Sequence, residues 1–141
     1  DSRYRLQNFS GATSATPNQE EVEHIMGKRF SETKDFTEAC VKLRQKLDYE
    51  SLLVTRGNKG MLLVEKGKQP LQIEAVGSKE PVDVTGAGDT VIATYGLALA
   101  SGLNFAEAAI LANHAGGIVV MKKGTASVSQ EELINTLLQN Q

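Results

Sequence analysis

Apolar residues recur at helical spacing in two early stretches of the chain. Val22, Ile25 and Met26 share one face of a segment introduced by Thr16-Pro17-Asn18-Gln19. There Thr16 is the expected cap, Pro17 the first helical residue, and Gln19 lies three positions after the cap. Glu20, Glu21 and Glu23 follow in the first turns, and Gly27 is the expected stop. A second helix is predicted from about Asp35 to Leu47, where Phe36, Ala39, Cys40, Leu43 and Leu47 keep the period. Then the period changes. Ser51-Leu52-Leu53-Val54-Thr55 is a short unbroken apolar run, the pattern of a strand covered on both faces, and it stops at Arg56-Gly57-Asn58-Lys59-Gly60. Met61 to Glu65 and Leu71 to Val76 predict two more strands around a Lys66-Gly67-Lys68 turn, so that 51–76 reads as a small meander. Upstream there is only a short extended piece around Ala12 to Ser14. A first apolar strand near Asp1 reads as cut through, as in a fragment of a longer protein.

The second half is more helical. A helix from 89 to 101 is expected to end at Ser101-Gly102, and Asn104 to cap another from about Phe105 through Val120. Gly116-Gly117 interrupts the alanine-rich middle of that helix; each glycine costs about 1 kcal/mol against alanine, so the pair predicts close approach by a neighbour. Ser129, with Glu132 three residues on, caps a last helix running through Leu133 to Leu138. This order indicates an α/β layered domain whose helices cover one sheet. The sheet reads as incomplete, with Ser51 to Thr55 or the Ala12 segment as an unpaired edge. Self-association, for instance a homodimer that completes the sheet, is the expected consequence.

Composition narrows the picture. At 141 residues and 40% apolar content the chain is one domain's worth of material. A net charge of −2 with both signs interspersed offers no basic face for nucleic acid, and no apolar run approaches the length of a membrane-spanning helix. The single Cys40 argues against a disulfide framework and fits the reducing cytoplasm, as an inert buried thiol.

The chemistry gathers around Val82-Asp83-Val84-Thr85-Gly86-Ala87-Gly88-Asp89-Thr90. The glycines let the backbone bend sharply into the apolar helix. The first amides of a helix lack intrahelical acceptors and sit at the positive end of its dipole, so Gly86, Ala87 and Gly88 can aim donors at a phosphate or an oxyanion, with Asp89 beside them. Neither a Walker loop nor a third dinucleotide-fingerprint glycine is present. Asp89 also suits a plain helix cap. Asn18 and Glu21, three apart, share a helix face, although the glutamates there equally complement the dipole. Thr55 and Gly57 end the buried strand, where open α/β sheets bind ligands. A lone His114 beside Asn113 is the pattern of a packed residue.

The stretch D-V-T-G-A-G-D-T at 83–90 resembles the D-T-x-G-A-G-D signature of the ribokinase-like carbohydrate kinases, the phosphofructokinase-B (pfkB) family, with Val84 where many members carry threonine. The resemblance implies a three-layer α/β ribokinase-like fold of which residues 1–141 form the C-terminal, ATP-binding portion. It implies that Asp89 is the catalytic base and that Gly86, Ala87 and Gly88 line the anion hole. Asn18 and Glu21 match an Asn-x-x-Glu motif that places Mg2+, through water at Glu21, and the phosphates of ATP. Thr55 and Gly57 match nucleotide contacts, and Asn113 a position bordering adenine. Asp83, Thr85, Val120 and Gly124 match positions that hold a monovalent cation such as K+. The segment Lys123 to Ser129 and the Gly-Asp-Thr-Val at 88–91 also resemble the heptose-7-phosphate kinases. The expected reaction is transfer of the γ-phosphoryl of Mg-ATP to a sugar or sugar phosphate; alternatives are a vitamin or nucleoside kinase of the same fold, or a non-catalytic nucleotide-binding or assembly module. The family's lid and sugar-binding residues are not matched, so the chain alone is expected to be inactive.

Overall fold

The apolar run at 51–55 becomes the centre of a sheet. A computed structural model of the chain describes residues 5–77 and 81–139; the truncated strand read near Asp1 lies outside the described residues. The sheet has four strands in the order β1 (Ser14–Ala15), β2 (Ser51–Thr55), β3 (Met61–Glu65) and β4 (Leu71–Ile73). β1 runs parallel to β2, and β2 antiparallel to β3 with Leu53 opposite Leu63. β2 therefore has a partner on each side, so of the two expected edges Ser51 to Thr55 is ruled out, and among the described residues the edges are the two-residue β1, just after Ala12, and β4.

The chain divides into two compact units. The first comprises the described residues within Asp1–Arg56 and Met61–Gln72. Here α1 (Gln19–Met26) and α2 (Thr33–Lys46) supply the apolar cover predicted by their periodicity. Val22, Phe36, Cys40, Leu43 and Leu47 form one cluster with Leu52 and Val54 of β2 and Leu62 and Val64 of β3, and Ile25 and Met26 pack against it. Leu53, on the opposite pleat of β2, is also buried, as a continuous apolar strand requires. Arg56 is the polar tie of this unit. Its guanidinium lies 4.8 Å from the Phe36 ring centre and donates to Gln19 Oε1 and Gln72 Oε1 at 3.1 and 3.0 Å.

The second unit comprises Gly57–Gly60 and the described residues from Ile73 onward. It carries α3 (Ala87–Ala100), α4 (Phe105–Val119) and α5 (Gln130–Gln139). Val91, Tyr95 and Ala98 form the buried stripe of α3; Ala108, Ala109, Ala112, Ala115 and Val119 that of α4. The strand expected at 71–76 is half that length, and residues 74–77 leave the sheet to cross α4. There Asn113 Nδ2 donates to the Glu74 carbonyl at 2.7 Å, and a Cβ on Gly117 would sit 2.5 Å from the Val76 carbonyl oxygen. The close approach predicted from the glycine pair is this crossing.

Candidate active site

In the first unit the backbone brings three of the singled-out residues together. Thr55 N–H donates to the Pro17 carbonyl at 3.0 Å, and Asn18 forms a parallel bridge with Thr55, so the strand end and the start of α1 are adjacent. Asn18, not Thr16, caps α1: Asn18 Oδ1 accepts from the Glu21 amide and Glu21 Oε2 accepts from the Asn18 amide, both at 2.8 Å. The extended backbone bridging to Thr55 continues through Pro17, which postpones the helix by two residues. Thr16 and Glu21 are both buried, at 8% exposure each, whereas Asn18 is exposed. Glu21 thus offers an acceptor-only carboxylate with one oxygen engaged by its own cap. Among the described residues no three His, Cys, Asp or Glu side chains gather into a metal cluster. The donor set fits a hard cation that keeps its waters and takes its other oxygens from phosphates, and does not fit a cage built of protein alone.

In the second unit the signature forms the entry to α3. Gly86, at φ 77°, is the N-cap residue of α3, and no side chain caps the helix. Its left-handed backbone is one that residues with a Cβ adopt reluctantly. Ala87 N–H turns back to the Val84 carbonyl at 3.2 Å, and the first intrahelical bond runs from Thr90 N–H to the Gly86 carbonyl at 3.0 Å. The amides of Gly88 and Asp89 fall between these and precede the helical ladder. Asp89 is exposed at the third helical position, so the reading of Asp89 as a cap is corrected: helix α3 starts at Ala87. α1, α4 and α5 close their first turns with paired side chains at Asn18 and Glu21, Asn104 and Glu107, and Ser129 and Glu132, whereas α2 and α3 have no side-chain cap, and only α3 enters through a left-handed glycine.

The four positions tied by resemblance to a monovalent cation also lie together. The amides of Val82 and Asp83 both donate to the Val120 carbonyl, at 2.8 and 3.1 Å. The Asp83 carboxylate accepts from the Thr85 amide through Oδ1 and from the Gly124 amide through Oδ2, each at 2.9 Å. Hydrogen bonds from Thr85, side chain and amide, and from Gly124 keep this carboxyl below the usual carboxylate range. Val120 has thus spent its carbonyl lone pairs on amides.

The other candidates have structural employment. Asn113, 5% exposed, holds the crossing segment through Glu74. His114, 7% exposed, has its Nδ1 buried without a hydrogen-bond partner, and burial lowers its pKa. Burial drives the Cys40 thiol up to about 12, against the nearby Arg56 charge, which fits an unreactive core thiol. Gly57 opens a 3-10 turn, Gly57–Lys59, at φ 57°. Sequence reasoning passed over Arg56 and Lys122, and read Glu132 only as the partner of the Ser129 cap. Arg56 reaches Gln19 and Gln72, and Lys122 reaches Glu132, outside any one helix or strand, so no local pattern announces these contacts.

The pfkB family carbohydrate kinase profile matches residues 3–132. The chain is similar to the bifunctional protein HldE of Nitrosococcus oceani, 47% identical over 132 residues, covering 94% of this chain and 28% of that protein. It is 43% identical over 128 residues to the HldE protein of Vibrio parahaemolyticus, covering 91% of this chain and 26% of that one. The chain therefore spans little more than a quarter of the length of these curated relatives. Among solved structures it resembles Arabidopsis thaliana ribokinase complexed with ribose and ATP, with a TM-score of 0.80 at 27% identity, over 94% of this chain and 42% of that one. It also shares the fold of Escherichia coli phosphofructokinase-2 in complex with potassium, with a TM-score of 0.84 at 19% identity, over 94% of this chain and 42% of the other.

Proposed function

Because the chain belongs to the pfkB family of carbohydrate kinases, we propose that it is the nucleotide-binding and catalytic-base part of an ATP-dependent sugar kinase. The observation that carries the reading is the open first turn of α3, with Asp89 exposed beside the uncapped amides that follow Gly86. Asp89 takes the proton of the acceptor hydroxyl. The amides of Gly88 and Asp89, with the turn at Gly86 and Ala87, stabilise charge on the transferring phosphoryl, already oriented and at the positive end of the helix dipole. In the first unit, Glu21 would hold water on Mg2+ and Asn18 and Thr55 would contact the nucleotide, as the family motif implies. When bound, Mg2+ neutralises phosphate charge.

The likeness of Lys123 to Ser129 to heptose-7-phosphate kinases, together with similarity to HldE proteins, favours a heptose 7-phosphate as acceptor. A K+ ion, if used, takes main-chain oxygens of Asp83, Thr85 and Gly124. Self-association completes the assignment: Leu97, at 70% exposure, and Leu138, at 64%, present apolar surface in the second unit. The workplace is the cytoplasm, where ATP and reduced thiols coexist.

Two experiments test this reading. Calorimetry with Mg-ATP should detect weak binding by the chain alone without turnover of sugar. A hybrid in which the chain replaces the matching 132 residues of the Nitrosococcus oceani HldE protein should release ADP only when heptose 7-phosphate is supplied. Sugar-independent ADP release, or no nucleotide binding by either protein, contradicts the proposal.

A further inference from the structure

The turn before α3 is held from a distance. Val82 and Asp83 donate to the Val120 carbonyl and the Asp83 carboxylate takes the Gly124 amide, which ties the turn to the stretch following α4. Thr125 Cγ2 lies 3.7 Å from where a Cβ on Gly86 would stand. That stretch is tied in turn to α5. Lys122 Nζ donates to the Ser127 carbonyl at 2.7 Å and pairs with Glu132 Oε1 at 2.7 Å, while Glu132 Oε2 accepts the Ser129 amide at 2.8 Å. One carboxylate both caps α5 and anchors the lysine.

We propose that Lys122 and Glu132 are positioning residues, which act through the loop at 122–129 and the Asp83 clamp to set the orientation of the Gly88 and Asp89 amides. The proposal rests on the reading of those amides as phosphoryl-facing donors. Oriented donors stabilise developing charge only where the surrounding shell keeps them in place. The Lys122 and Glu132 side chains are 33% and 41% exposed, and such a pair contributes little to global stability. Its effect is therefore local, in the geometry of the turn.

The test is 15N–1H NMR of the labelled chain carrying Lys122→Met, which leaves the Ser129 and Glu132 cap of α5 intact. The cross-peaks of Thr85, Gly88, Asp89 and Gly124 should move while those of α5 beyond Leu133 and the melting temperature stay. Lys122→Arg should restore the wild-type positions. Movement confined to 122–129, with Gly88 and Asp89 unchanged, overturns the proposal, as does failure of Lys122→Arg to restore them. Asp83→Asn, which keeps one acceptor oxygen of two, should move the same four cross-peaks; if it moves Gly124 alone, the clamp does not reach the donors and the proposal is again wrong. These shifts are read without nucleotide. They support the brace whether or not Mg-ATP moves the same cross-peaks in the wild type, and only that second response bears on the kinase reading.

Discussion

Asn113 Nδ2 donates to the main-chain carbonyl of Glu74 across 2.7 Å, from a side chain only 5% exposed. This bond fastens the segment that follows β4 to α4. Removing it in Asn113→Ala should lower stability by about 1 kcal/mol, the typical net value of such a bond, with a further loss where the Glu74 carbonyl stays dry. Chemical denaturation with an unchanged m-value checks it; stability equal to wild type would show that the crossing needs no side-chain anchor.

The helical glycines divide by what surrounds them. At Gly117 an added Cβ would meet the Val76 carbonyl at 2.5 Å, so Gly117→Ala should destabilise in spite of its propensity gain. At Gly96, exposed on α3, a Cβ meets nothing within 4 Å, so Gly96→Ala should stabilise by about 1 kcal/mol. Thermal melts of the two variants should move in opposite directions.

How far the chain could be read in advance follows the same division between local and distant causes. The buried run at 51–55, the α2 stripe from Phe36 to Leu47 and the α5 cap at Ser129 are written in neighbouring residues, and the structure has them. The pfkB signature, too, lies in eight consecutive residues, 83–90, and the family profile matches residues 3–132. The cap of α1 was misplaced at Thr16 because Thr-Pro-Asn-Gln and Asn-Gln-Glu-Glu both look like helix starts. The Asn18 bridge to Thr55, which decides between them, is a tertiary contact. β4 was drawn too long for the same reason: alternation continues to Val76, but Asn113 and Gly117, some forty residues on, claim the backbone. The sequence singles out Asp89 as a candidate; its place inside α3 depends on the left-handed Gly86, which the sequence permits without requiring.

Two pH windows follow from the ionisable groups. Lys122, first, and the Ser129 amide hold the Glu132 carboxyl down at about 2 from an ordinary 4.5, so its contribution is complete above 4.5 and is lost as pH falls through about 2. Lys122→Met should move the Glu132 titration up toward 4.5, read from its side-chain carboxyl shift by NMR. Burial holds His114 below its ordinary 6.5, so between its folded pKa and 6.5 the unfolded chain binds more protons and stability rises with pH. His114→Leu should remove that slope. An unchanged slope would assign it to other groups.

Leu97, Ile110, Ile134 and Leu138 are at least 42% exposed in the second unit. Light scattering over a wide concentration range should show mass rising with concentration. A constant monomer mass with one cooperative thermal transition would rule out self-association.

The central claim is that Asp89 is the base of a sugar kinase, and the most direct measurement is made on the hybrid of this chain with the Nitrosococcus oceani HldE protein. Steady-state ATP-dependent phosphorylation of heptose 7-phosphate should be compared between the hybrid and its Asp89→Asn variant. A positioned general base is worth about 10²- to 10⁴-fold, so kcat should fall by that factor while the KM for Mg-ATP stays the same. A variant that keeps the full kcat would remove Asp89 from the chemistry and contradict the account.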